Sequence, residues 1–388
     1  MLQDILLQHN LYLLNEVERL LNTLIQAGNL IPSELNLYYD WLSNYGNKLL
    51  RQIKENLYFL DLKIDSIFPE ILSRTQNINR ELRLVDAKLI HPIRRTRPSD
   101  RLCLKLLIWL HSTHPQTQNI PLAFSDGNFA CWPAYPRYPM LYFISPSAQK
   151  SLLFLPLLFH EFGHLLYVCY KQEMDDLVSD LQEELAELLE PASQRSDRFA
   201  QQKARERKRI VETWYEWTQE LFCDAVGFCI GSSAFVHSFS TYLQMLGRSQ
   251  FHVSPNKLTQ THPISWLRVK ILAERIRQHG YDNLAEELED TWSAIASTMG
   301  IIEDYYGYYD PDFLPIIQQT IDDMLVETDP YSFERADVTI PHSGVSFSPV
   351  LLLNQAWKNF QADPKSFPQW EAKTIHELFD EINPKFWR

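Results

Sequence analysis

Two histidines stand four residues apart in the segment His160-Glu161-Phe162-Gly163-His164. In a helix that spacing puts both imidazoles on one face, one turn apart, able to reach a single ion. Glu161 flanks them on the side that would face a metal-bound water. Two neutral imidazoles hold a metal without cancelling its charge. The carboxylate can then take a proton from a water whose pKa a zinc ion lowers to about 7. The neighbours Leu157, Leu158, Phe159, Phe162, Leu165, Leu166 and Val168 are apolar and would bury the helix. Three polar groups inside such a helix need strong partners. Gly163 costs about 1 kcal/mol of helix stability relative to Ala. Its presence makes sense if a backbone or a ligand packs closely there. The plain alternative is a buried helix whose His and Glu only hydrogen-bond.

A catalytic zinc site needs a third protein ligand and one open position. Downstream, Glu220 and Asp224 are again four apart. Glu220 could complete a two-His, one-Glu site, and Asp224 could accept the free ring N–H of a zinc histidine. Small residues at Ala225 and Gly227 would let this helix approach the first. Glu212 and Glu216 continue the ladder at the same spacing; Glu220 is preferred because Asp224 follows it. A third segment, Thr261-His262-Pro263-Ile264-Ser265-Trp266-Leu267-Arg268, starts a helix at its proline. His262 or Arg268 reaching the open side of the zinc would stabilise an oxyanion. The alternatives are a local hydrogen bond for His262 and a carboxylate partner for Arg268.

HEFGH, ELFCDAVG and THPISWLRV, in that order, resemble the gluzincin peptidases. The nearest pattern is the branch that holds the HtpX heat-shock peptidase and the CAAX prenyl protease, with HExxH, ExxxD and HPxxxxR. The resemblance covers roughly residues 140–275. It implies zinc ligands at His160, His164 and Glu220, a general base at Glu161, a supporting Asp224, and oxyanion help from His262 or Arg268. It also implies a zincin-like core. Those enzymes are usually integral membrane proteins, and Cys223 stands where they commonly have Ala.

The elements that must position these residues read mostly as helix. Apolar residues recur at three- and four-residue spacing from Leu2 to Leu24, and Pro32-Ser33 restarts the pattern through roughly residue 66. A further helix follows Pro69. Residues 91–101 read as a connector, with Ser99 capping a helix to His111. Met140 to Ile144 reads as a strand, either a substrate-pairing edge beside the metal helix or a plain hairpin strand. Pro156 opens or kinks the metal helix. A long polar helix is expected over about 195–229, with others near 233–246, 263–279, 282–299, 311–326, 349–362 and 369–381. Two basic stretches, Arg94 to Arg101 and Lys203 to Arg209, read as solvated faces rather than phosphate contacts. The cluster Tyr305 to Tyr309 fits a partner groove or a packed loop equally.

The expected fold is mainly α with a small β element. It divides into an N-terminal helical region (1–115), a zincin-like catalytic domain (116–300) and a C-terminal helical region (301–388). The net charge of -13 argues against a nucleic-acid partner. Five scattered cysteines without a CxxC pair, and a start (MLQDILLQHN) unlike a signal peptide, point to the cytoplasm. No apolar run of spanning length appears. The expected cofactor is Zn2+. The expected function is a zinc-dependent endopeptidase acting on a protein or peptide, regulated through its helical regions by a protein partner. The alternatives are a non-catalytic helical adaptor with a structural zinc site, and a zinc amidohydrolase acting on a non-peptide amide.

Overall fold

The computed structural model describes residues 2–28, 30–95, 101–117, 120–125, 129–132, 138–145, 151–189, 200–246, 261–336 and 348–378. The chain is mainly helical. Its first helices are α1 (Leu2–Ala27), α2 (Asn36–Asp61), α3 (Phe68–Leu84), α4 (His91–Arg95) and α5 (Arg101–Ser112). Three short strands follow: β1 (Leu122–Ser125), β2 (Ala130–Trp132) and β3 (Leu141–Ile144). The chain then returns to helix with α6 (Leu157–Cys169), α7 (Lys171–Leu189), α8 (Ala200–Gly231), α9 (Ser233–Met245), α10 (Ser265–Gln278) and α11 (Asp282–Thr298). The last helices are α12 (Leu314–Thr328), α13 (Phe333–Ala336), α14 (Pro349–Ala362) and α15 (Phe367–Leu378). These elements fall into two units: Met1–Ile108, Ile120–Asn128 and Leu141–Lys150 form one, and the remainder forms the other.

In the first unit, α1, α2 and α3 form a bundle. The apolar stripes that the sequence shows meet along its axis, with Leu13, Val17, Leu49, Ile53 and Ile78 in one cluster. A polar layer crosses all three helices. Asn10 Nδ2 donates to Thr75 Oγ1 at 2.9 Å, and Asn56 Nδ2 donates to Asn10 Oδ1 at 3.1 Å. Such a layer fixes which residues face each other, because a slip would leave buried amides unpaired. The stretch expected as a connector is helical at its start, as α4; Arg97 and Ser99 lie outside the described residues. β3 pairs in parallel with β1, with Leu122 opposite Leu141. Parallel pairing requires a crossover, so β3 is not one arm of a hairpin with β1.

The second unit is built around α6 and α8. Pro156 precedes the first residue of α6, where its missing N–H costs nothing. α6 is buried almost all round, as an apolar helix inside a helical core must be. On one flank, Trp214, Trp217 and Leu221 of α8 pack with residues of α7, α10 and α12. On another, Phe228 of α8 packs with residues of α9, α10 and α11. Tyr305 and Tyr308 are buried in the first of these clusters, and Trp214 Nε1 donates to the Tyr308 carbonyl at 2.8 Å. The tyrosine cluster is therefore a packed loop rather than a groove. Lys203, Arg205, Lys208 and Arg209 are exposed on α8, and Lys208 pairs with Glu212 at 3.6 Å. No helix among the described residues is long and apolar enough to cross a membrane.

Candidate metal centre

The site lies wholly in the second unit, where α6 crosses α8. At Gly163 the two backbones come close: a Cβ added there would lie 2.8 Å from the Cα of Cys223. That distance leaves no room for any other residue without parting the two backbones. Ala225 and Gly227 do not serve this crossing. Ala225 packs in the cluster of α7, α10 and α12, and Gly227 is met by the ring of Phe235. Gly163→Ala is expected to lower both stability and zinc affinity. Overpacking costs about 1–3 kcal/mol, against about 1 kcal/mol regained in helix propensity. Thermal unfolding and a zinc competition titration measure the two effects. Unchanged zinc affinity would show that the close crossing does not set the site.

The crossing brings His160, His164 and Glu220 together, with one ligand atom of each within 4.8 Å of the others. Glu220 Oε2 lies 3.4 Å from His160 Nε2, and Oε1 lies 3.5 Å from His164 Nε2. Of the glutamate ladder only Glu220 is buried; Glu212 and Glu216 face solvent. Behind the ligands, Asp224 Oδ1 takes His160 Nδ1 at 2.9 Å. Arg268 grips the same carboxylate at both oxygens, with Nε 2.8 Å from Oδ2 and Nη2 2.7 Å from Oδ1. Its guanidinium also lies 3.3 Å from Glu220 Oε2 and 4.9 Å above the Phe239 ring. This is the carboxylate pairing that the sequence leaves open for Arg268, and the group is buried. His262 stands with Nε2 3.4 Å from Glu220 Oε1 and with its side chain 62% exposed. Cys223 directs Sγ to His164 Nδ1 at 3.4 Å, the ring edge opposite Nε2.

The electrostatics follow from burial among charges. Burial pushes the His160 pKa down, but Asp224 and Glu220 outweigh it and raise it to about 10. Burial and the charge of His160 lower His164 to about 4, leaving its lone pair free at neutral pH. Burial works against ionised Glu220, yet His160 and Arg268 hold its carboxyl far below the usual range. Burial raises the pKa of Glu161. A cation taking His160 Nε2 must displace the proton there, so its affinity strengthens as pH rises.

The residues fit a divalent cation of the zinc class. Glu220 Oε2 is buried with only long ionic neighbours, Arg268 Nη2 at 3.3 Å and His160 Nε2 at 3.4 Å, and no well-formed hydrogen bond. Two imidazole nitrogens and a carboxylate are the donor set zinc takes at open sites. Asp224 already fixes the His160 tautomer in the way metal-bound histidines require.

One neighbour is not legible in the sequence. Cys131 of β2 lies beside the Glu161 carboxylate, and burial, then that charge, raise its thiol pKa well above the usual value. The strand that packs on α6 within this unit is thus β2, three residues long and without a readable alternation.

His111 and His114 pack their rings on Phe162, on α6 itself. Burial, and then the nearby His114, lower the pKa of His111 to about 3. The folded chain keeps it neutral while the unfolded chain binds a proton near pH 6.5. Its stabilisation is therefore full above about 6.5 and is lost as pH falls toward 3. Between pH 7 and 5 metal-free His111→Gln should lose about 2 kcal/mol less stability than the parent chain. Equal losses in urea titrations would show that His111 is not held neutral.

Comparison of the chain with protein-family models, with curated proteins and with solved structures finds no match.

Proposed function

We propose that this chain is a zinc-dependent endopeptidase of the gluzincin type with a zincin-like core. The observation that carries the reading is the convergence of His160, His164 and Glu220, with Glu161 beside them and Asp224 clamped on His160 Nδ1. When bound, zinc supplies a Lewis acid for a water and for the substrate carbonyl. Glu161 takes the proton of the attacking water and later hands it to the leaving amine. Its burial, which raises its proton affinity toward the working pH, suits both steps. His262, its Nδ1 held 2.9 Å from Thr261 Oγ1 and its Nε2 beside Glu220, would donate to the oxyanion in this reading. Arg268 acts through Asp224, by locking the carboxylate that orients His160.

The test compares metal-stripped and zinc-restored chain on an unfolded protein substrate, with zinc counted by elemental mass spectrometry. One zinc per chain is expected, with cleavage lost on stripping and regained on restoring. One tightly held zinc with no cleavage of any protein or peptide would favour the adaptor reading instead. Cleavage of small amides alone would favour the amidohydrolase.

A further inference from the structure

Two turns along the same helices lies a second convergence of polar side chains, away from the metal ligands in sequence. Ser232 joins α8 to α9 with a φ of 50°, is 5% exposed, and its side chain makes no hydrogen bond among the described residues. It lines a cavity of about 60 Å³ together with Arg275 and His279. Arg275 sits seven residues after Arg268 on α10 and is 3% exposed. Its Nη2 donates to Asp322 Oδ1 at 2.8 Å, but its Nε–H is buried without an acceptor. His279 follows the end of α10, its ring edge-on to Phe228 at 5.5 Å. Phe228 and Leu325 supply apolar wall. Glu334 also lines the cavity, with Oε1 4.0 Å from His279 Nδ1 and its side chain 63% exposed.

These groups are mostly donors. Ser232, Arg275 and His279 all line this space, and a hydroxyl, a guanidinium and an imidazole together favour a ligand rich in acceptors. A single water needs about 10–15 Å³ of such space, so the cavity has room for roughly four to six heavy atoms. A tetrahedral oxyanion has five. A guanidinium is the side chain best shaped to meet one, because its planar fork presents several N–H groups at once.

We propose that this cavity binds a small tetrahedral oxyanion of the phosphate or sulfate class through Ser232, Arg275 and His279. The site stands independently of the zinc reading. Calorimetric titration of the full chain with inorganic phosphate at constant ionic strength tests it, and is repeated with sulfate. Saturable one-to-one binding is expected. Ser232→Ala should weaken it about tenfold, the effect of losing one charge-assisted hydrogen bond. His279→Gln should weaken it as well. Glu334→Gln should tighten it, by removing a like charge from the rim. Arg275→Gln strips a buried partner from Asp322, so the three milder variants, checked by circular dichroism, carry the test. Absence of saturable binding would overturn the proposal. So would wild-type affinity in all three variants, or binding that disappears when zinc alone is removed.

Discussion

Glu161→Gln is expected to keep one zinc per chain and to lower peptide hydrolysis about 10²–10⁴-fold, the share of rate that a positioned general base supplies. The substitution preserves the shape of a buried side chain and keeps one acceptor oxygen. It removes only the ability to accept and return a proton. Glu161 is not among the three residues whose ligand atoms converge, so the metal should stay. Its neighbours do not offer a substitute base. Glu220 is committed to the two histidines, and Asp224 to His160 and Arg268. The measurement is a paired one, kcat for a peptide substrate and zinc content on the same sample. Normal turnover would remove Glu161 from the mechanism. Loss of zinc along with activity would instead make Glu161 part of the metal's support.

Asp224→Asn is expected to cost about 3–5 kcal/mol of stability, because it leaves the Arg268 guanidinium buried with its main counter-charge gone. Asp224 is 2% exposed and Arg268 is 6% exposed, so water cannot stand in for the lost charge. Zinc affinity should fall about 10–100-fold, since a neutral amide, which can also turn its NH2 toward Nδ1, no longer enforces the His160 ring orientation and tautomer. The two effects can be separated. In Asp224→Leu with Arg268→Met both charges leave together, and an apolar pair of similar size often restores stability. That double variant should recover most of the unfolding free energy while zinc binding stays weak. Recovery of zinc affinity together with stability would show that Asp224 contributes through folding alone. Urea unfolding and a competitive zinc chelator read the two quantities.

Much of this centre follows from spacing. His160 with His164, and Glu220 with Asp224, are each four apart, and a helix alone puts each pair on one face. That inference needs no partner, because helical periodicity is local. The long helices are legible for the same reason, and so is the strand at β3. The residues joining different elements are not. The repeat that offers Glu212, Glu216 and Glu220 as equals is broken by burial, since only the last reaches the α6 crossing. Arg268 has carboxylates available throughout the chain, and only the approach of α10 to α8 selects Asp224. Ala225 and Gly227 look like packing glycine-type positions for α6, yet the close contact is made at Gly163 against Cys223.

Residue types and their spacing suffice for the donor types, their pairing along each helix and the mainly helical class. Tertiary structure decided which carboxylate meets the histidines, how Arg268 is spent, and that a cysteine from a three-residue strand lies against Glu161. The physical reason is one of range. Hydrogen bonding and side-chain direction within a helix are set by residues three and four away. The crossing of α6 and α8 is set by missing Cβ atoms at Gly163 and Gly231 and by clusters drawn from distant helices, which no local spacing records.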